Sequence, residues 1–396
     1  MPDKTGKQPL VLLFRGSLCE MSRREFSGIM RYAHDAQWKV QTVEYASAAG
    51  NRFRAAGGEE LDVARLLDFW KPSGCIVECM GQASKFPTKA FGKTPVVFLD
   101  SYPELMGRNS LCVSSDADRI AEVAARELLR LDFADYAYVP WPDDTLWSRG
   151  RGIAFERLVA LNGRRFHRYD GRAKIADVVA YDRALSDWLS TLPRPCGLFA
   201  ANDCVARRVL EASVAVETPV PDELAIIGVD DDEDLCENAS VSLSSVRADS
   251  EASGFAAAEL LDRRMRRPRV RLASVVCGAP VLVRRASTRR YACGDGRVVR
   301  ALEHIRLHAC EGIGRPDVIA VMGCSPRLAD IRFRETTGHS ILDEIHGVRL
   351  ERAKLLLGSA RPDLARIASA CGYASLDDFR RVFRRYLGTT PSKWAK

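Results

Sequence analysis

Ile367-Ala368-Ser369-Ala370-Cys371-Gly372-Tyr373-Ala374-Ser375 is the stretch on which the reading of this chain turns. Asp363-Leu364-Ala365-Arg366 leads into it as a short helix behind Pro362. Asp363 sits at the positive end, and Leu364, Ile367 and Ala368 share one face. Gly372 supplies the left-handed backbone that a tight interhelical turn needs. Ser375 is a good N-cap for a second helix running to about Leu387. Its apolar face is Leu376, Phe379, Val382, Phe383, Tyr386 and Leu387; its basic face is Arg380, Arg381, Arg384 and Arg385. Gly388-Thr389-Thr390-Pro391 ends it. Helix, glycine turn and basic helix together make a reader of the DNA major groove. The plainer alternative is an ordinary solvated helix face.

The pattern occurs a second time upstream. Asp317 to Met322 reads as a short helix and Gly323-Cys324 as its turn. Ser325 starts a helix with Arg327, Asp330, Arg332 and Arg334 around an apolar face of Leu328, Ile331 and Phe333. Between the two copies, Leu342 to Leu357 is long enough for a helical strut. By position, Arg327, Asp330, Asp377, Arg380 and Arg381 are expected to face the groove, and Arg334, Arg384, Arg385 and Lys393 to meet phosphates. Charge agrees with this reading. The chain has 59 Lys/Arg against 52 Asp/Glu; from Arg297 onward the balance is 18 against 11, which leaves 41 of each in the first 296 residues. A neutral body with a basic end is the layout of a regulator.

In the body, short apolar runs alternate with helical patterns. Leu10–Phe14, Gly74–Cys79, Pro95–Asp100, Tyr136–Val139, Gly197–Ala201 and Leu224–Val229 read as buried strands. Helices are expected at Glu25–Gln37 and Leu61–Trp70. This implies parallel sheets with helices on both faces, arranged as a two-lobed α/β sensor over residues 9–283. A linker (284–296) and an all-α domain with two helix-turn-helix units (297–396) follow. Ligands bind beyond the carboxyl ends of such strands. The residues there are Arg15–Cys19, Glu78–Met80, Asp100–Tyr102, Pro140–Asp143, Asn202-Asp203 and Asp230–Asp232. Carboxylates and arginine exchange hydrogen bonds with sugar hydroxyls, and Trp141 or Trp147 offers a ring to a pyranose face. No glycine-rich nucleotide loop is present.

The twelve cysteines stand singly, and Cys75 and Cys79 have no second pair at metal-site spacing, so reduced thiols and no metal are expected. The six scattered histidines suggest no catalytic set, so neither an enzyme nor a cofactor is expected. The polar start of the chain and the lack of any run of about 18 apolar residues point to a cytoplasmic protein with no membrane partner.

The run Ile367 to Ser375, with Phe379, Val382-Phe383 and Gly388-Thr389-Thr390-Pro391-Ser392, closely resembles the signature of the arabinose-operon-regulator (AraC-type) transcription factors. The resemblance implies two helix-turn-helix subdomains on one long helix, each placing a recognition helix in successive major grooves. Ala329 departs from that pattern, where a leucine is usual, and Asp377-Asp378 bring acid to the second recognition helix. Residues 9–290 resemble the lactose-repressor and periplasmic-sugar-binding fold. The match is closest at Leu185–Leu189, Ala200-Ala201-Asn202-Asp203, Pro219–Asp230 and Leu243–Val246. Body and tail in this order resemble the xylose-operon regulators. That resemblance implies a transcription activator of carbohydrate catabolism, controlled by a small sugar such as D-xylose. It implies Arg151 as the arginine reaching the sugar, and Asp203 and Asp230 as acceptors; Asp100 joins them from the strand-end set. Operator DNA, RNA polymerase and a second copy of the chain are the expected partners. Met21 departs from the relatives, which commonly have Tyr there, so their pocket chemistry does not carry over unchanged; the alternative is a regulator sensing a non-sugar ligand such as a nucleoside or an aromatic acid.

Plainer roles stand beside each site residue. Asp203 precedes a helix and suits an N-cap, Asp230 lies in an acidic run typical of a solvated loop, Arg151 has Glu156 and Asp143 as structural partners, and Trp147 suits a core.

Overall fold

The apolar runs do become buried parallel strands. The computed structural model describes residues 8–16, 19–49, 52–54, 58–79, 88–107, 109–142, 145–171, 177–289, 296–357 and 363–394. Met80, Asp143, Pro362, residues 290–295 and most of the chain start lie outside the described residues. Two compact units form, Met1–Arg290 and Tyr291–Lys396.

The first unit has two lobes. One sheet runs in the order Val275–Cys277, Leu111–Ser115, Val96–Leu99, Gly74–Glu78, Leu10–Arg15 and Lys39–Glu44, with every neighbour parallel. The other runs Arg165–Arg168, Asp135–Val139, Cys196–Ala200, Leu224–Val229, Ser244–Arg247 and Val281–Val283, with only the last antiparallel. Each central strand is apolar on both faces because a hydrophobic cluster covers each side. The chain crosses between lobes after Ser115, after Arg247 and after Cys277. Asp116 N donates to Cys277 O at 3.0 Å and ties two of these crossings together.

Local chemistry moves two expected boundaries. The first helix spans Glu20–Asp35 rather than starting at Glu25, so five more residues precede its apolar stripe. The second starts at Val63, because Asp62 caps it by accepting from Arg65 N at 3.2 Å. Glu60–Asp62 instead joins a small antiparallel sheet. Strands such as Lys39–Glu44 and Leu111–Ser115 were not anticipated; the first is an edge strand with polar residues between apolar ones. Arg284–Thr288, placed in the linker from sequence, packs into the second lobe. Ser287 Oγ donates to Ile226 O at 2.6 Å, and Arg284 pairs with Glu127 at 2.5 Å.

The second unit holds helices Gly296–His308, Arg315–Met322, Pro326–Thr337, Ile341–Leu357, Leu364–Ala370, Leu376–Leu387 and Pro391–Trp394. One apolar cluster closes each half, and the Ile341–Leu357 helix contributes to both. Gly323 (φ +61°) and Gly372 (φ +74°) make the two interhelical turns. A Cβ on Gly372 would also stand 2.7 Å from Ala309 O and Cys310 O, so glycine is required there by space as well as by φ. Arg349, 7% exposed, donates to Ala309 O (2.7 Å) and Ile313 O (2.8 Å) and lies 5.4 Å from the Tyr373 ring. It braces one half against the other. The apolar face expected of Pro326–Thr337 is corrected in part: Phe333 and Ala329 are buried, but Ile331 faces outward. A small residue at 329 fits because its site is closed by neighbours from the same cluster.

Candidate ligand cleft and nucleic-acid interface

Parallel strands of both lobes end at one cleft of about 270 Å³. Asp100, Trp141, Trp147, Arg151, Asp203 and Asp230 all line it. The first lobe supplies Asp100 from the end of Val96–Leu99, and the second supplies the other five. In each lobe the cleft lies beside the strands where sheet order reverses, Leu10–Arg15 with Gly74–Glu78 and Asp135–Val139 with Cys196–Ala200.

Arg151 is placed by the helix Leu146–Leu161. Gly152 lets that helix lie against Tyr138; a Cβ there would stand 2.6 Å from the ring. Tyr138 Oη donates to Ser148 O at 2.7 Å, and Trp141 N donates to Ser148 Oγ at 2.9 Å, which fixes the Trp141 loop to the same helix. The Arg151 guanidinium is 4.8 Å from the Trp147 ring centroid, and Nη1 donates to Ala201 O at 2.6 Å. Its Nε is buried without a hydrogen-bond partner among the described residues. Glu156 does not claim Arg151; it pairs with Arg168 at 3.1 Å. The Trp141 and Trp147 rings stand 6.1 Å apart at 43°, both half-buried at the cleft wall.

Asp203 and Asp230 differ in their surroundings. Asn202, not Asp203, caps the helix Asp203–Ala215 by accepting from Val205 N at 3.0 Å. Asp203, 1% exposed, accepts from Ser245 Oγ (2.7 Å) and from Asp232 N (2.9 Å), so it braces the loop that carries Asp230. Burial, then the charge of Asp230, pushes it up to about 8. Asp230 has φ +105°, and its Oδ1 is buried with no hydrogen-bond partner among the described residues. Burial pushes it up to about 6, against the pull of Arg151. The loop is therefore not a solvated acidic run: Asp231 is fully buried against Arg247 (2.6 Å) and Arg285 (2.8 Å). Only Glu233 and Asp234 face water.

Asp100 takes φ +54° at its strand end. Burial pushes it up to about 7, and it hydrogen-bonds Glu25, whose carboxyl is pushed well above the usual range first by burial and then by Asp100. Glu25 faces Asp100 across this contact. It was not anticipated, since a glutamate inside an amphipathic helix carries no sequence mark of such a role. Tyr102, from the strand-end set, lines the cleft, and Ser114 and Ser115, which carry no sequence mark of such a role, line it too. Glu78, expected at the site, is held back by Ser22 Oγ (2.6 Å) and Gly16 N (3.1 Å) and does not line it. Arg24 of the first lobe donates to Asp230 O (3.3 Å) and Asp231 O (3.2 Å), a direct bond between lobes beside the cleft.

On the tail, Arg327, Arg334, Arg380, Arg381, Arg384, Arg385 and Lys393 are exposed. Asp377 is exposed 3.5 Å from Arg380, and Asp378 pairs with Arg381. The acids at the start of this helix thus orient arginines one turn on. Asp330 is engaged by Arg315 at 2.5 Å and is not presented alone.

Residues 113–288 match the periplasmic binding protein-like domain, and residues 318–396 match a helix-turn-helix domain. The xylose operon regulatory protein of Escherichia coli (strain K12) is 32% identical over 285 residues, covering 71% of this chain and 73% of that protein. The protein of the same name from Haemophilus influenzae is 27% identical over 285 residues, covering 71% and 74%. A solved structure described as the xylose-binding transcription activator xylR covers 98% of each chain with a TM-score of 0.63 and 27% identity. Sensor fold, paired helix-turn-helix units and this likeness over most of the length lead to one conclusion: the chain belongs to the family of xylose operon regulators, DNA-binding transcription regulators and not enzymes.

Proposed function

We propose that this regulator senses a single neutral sugar of pentose size, with D-xylose the first candidate, and acts as an activator of sugar catabolism. It binds operator DNA as a homodimer and recruits RNA polymerase. The sensor, which takes in Arg284–Thr288, acts on the reader (297–396) through the residues that join them. The observation that carries the sugar reading is the pairing of unmet needs in one cleft. Among the described residues Asp230 Oδ1 lacks a donor and Arg151 Nε lacks an acceptor, and both residues line a space flanked by two tryptophans. A sugar hydroxyl both donates and accepts, and its ring carbons cover an indole. Asp100 and Asp203 complete the acceptor set. On the tail, Arg327, Arg380 and Arg381, with Asp330 and Asp377 beside them, read base edges. Arg334, Arg384, Arg385 and Lys393 hold phosphates.

A thermal-shift screen of the full chain against pentoses, hexoses and their acids tests the sugar reading. A ligand at 100 times its Kd adds about 2.7 kcal/mol of stability. A panel in which no sugar shifts the melting temperature, while an aromatic acid or nucleoside does, would overturn it.

A further inference from the structure

The sensor is neutral overall, yet one segment concentrates positive charge. Six of the nine residues from Arg263 to Arg271 are arginine. The helix Ser250–Arg266 ends inside this run, and its negative end accounts for Arg263, Arg264 and Arg266. Nothing of that kind accounts for Arg267, Arg269 and Arg271, which lie beyond it. Asp262 is committed to Arg266 (2.9 Å) and Tyr32 (3.0 Å). Arg264 turns back to donate to Pro268 O (3.0 Å) and Val270 O (3.4 Å), which shapes the segment. Arg263, Arg267, Arg269 and Arg271 are exposed and have no ion pair among the described residues. Arg264, Arg269 and Arg271 line an open groove of about 910 Å³ together with Lys93.

We propose that the Arg263–Arg271 segment is a second, sequence-independent DNA contact that binds the phosphate backbone flanking the operator. An open row of unpaired guanidiniums suits a long, repeated anion rather than a small one, which needs an enclosing set of donors. A regulator held on its operator by its tail keeps the sensor at high local concentration beside duplex DNA, so weak contacts become effective. The reader makes its own contacts, and this segment adds to them.

The test uses the full chain carrying Arg267→Ala, Arg269→Ala and Arg271→Ala together. Its affinity is measured across salt on the bare operator and on the operator extended by about two helical turns each side. On the long duplex, loss of three phosphate contacts should flatten the log–log salt slope by about 2.7; on the short duplex the slope should match the parent. Arg→Lys changes at the same three positions keep the charge and should restore the long-duplex slope, which separates charge from folding. Unchanged slopes on both duplexes overturn the proposal. So does a failure of the lysine variant to restore the slope. Unchanged DNA binding with reduced polymerase-dependent transcription overturns it too, and assigns the patch to a protein partner.

Discussion

The buried carboxylate of Asp231 lies 2.8 Å from Arg285 Nη1. Asp231 follows Asp230 in the cleft loop, and Arg285 belongs to the segment leading out of the sensor. Arg285 also pairs with Glu237 and donates to Leu243 O at 3.1 Å. Any shift of the 230–232 loop on ligand binding therefore reaches the exit segment through one ion contact.

Arg285→Ala leaves a buried carboxylate short of a partner. It should destabilise the sensor by about 3–5 kcal/mol, read from its urea midpoint. Arg285→Lys keeps the charge and loses the planar fork. In that variant sugar affinity should hold while the sugar-dependent change in DNA affinity, typically about 1–3 kcal/mol, shrinks. Full coupling in Arg285→Lys removes this pair from the route.

Asp230 and Asp203 should separate in a calorimetric comparison. Asp230→Ala removes an acceptor whose Oδ1 has no hydrogen-bond partner among the described residues, so sugar affinity should fall by about 1–3 kcal/mol. Asp203→Ala also releases Ser245 Oγ and Asp232 N, so affinity and stability should fall together. Unchanged sugar binding in both variants would show that the cleft is misassigned.

Burial places Asp230, Asp100 and Asp203 at about 6, 7 and 8. An unfolded aspartate titrates near ~3.9. Between those limits the folded state binds more protons, so sensor stability should decline as pH rises from about 4 to about 8. Its melting temperature should be higher at pH 5 than at pH 8, and the opposite order would refute the arrangement. A sugar hydroxyl donating to Asp230 favours the carboxylate. Sugar affinity should therefore weaken as pH drops below about 6.

Arg381 and Arg385 are expected to differ on DNA. Arg381→Ala should cost about 1–3 kcal/mol at one operator position and relax base preference there. Arg385→Ala should weaken specific and random DNA alike and reduce the salt slope by about one. Binding assays on operator and scrambled duplexes distinguish them; equal effects of the two changes would overturn the assignment.

Local sequence was enough to reveal the two helix-turn-helix units. A glycine turn, a serine cap and a basic helix act over a dozen residues, and Gly372, Ser375 and Gly388 are used as read. It was also enough to bring Asp100, Trp141, Trp147, Arg151, Asp203 and Asp230 to one edge, because continuous apolar strands force a parallel sheet whose ends converge. What each side chain does there depended on partners far along the chain. Asp203 is held by Ser245, Asp231 by Arg285, and Asp100 by Glu25. Asp330 is engaged by Arg315 across the turn between two helices, and Ile331 is turned outward by the way its helix seats. Periodicity specifies which elements form, whereas hydrogen bonds and charge pairing between elements depend on docking geometry. That geometry exists only once the lobes and helices have packed.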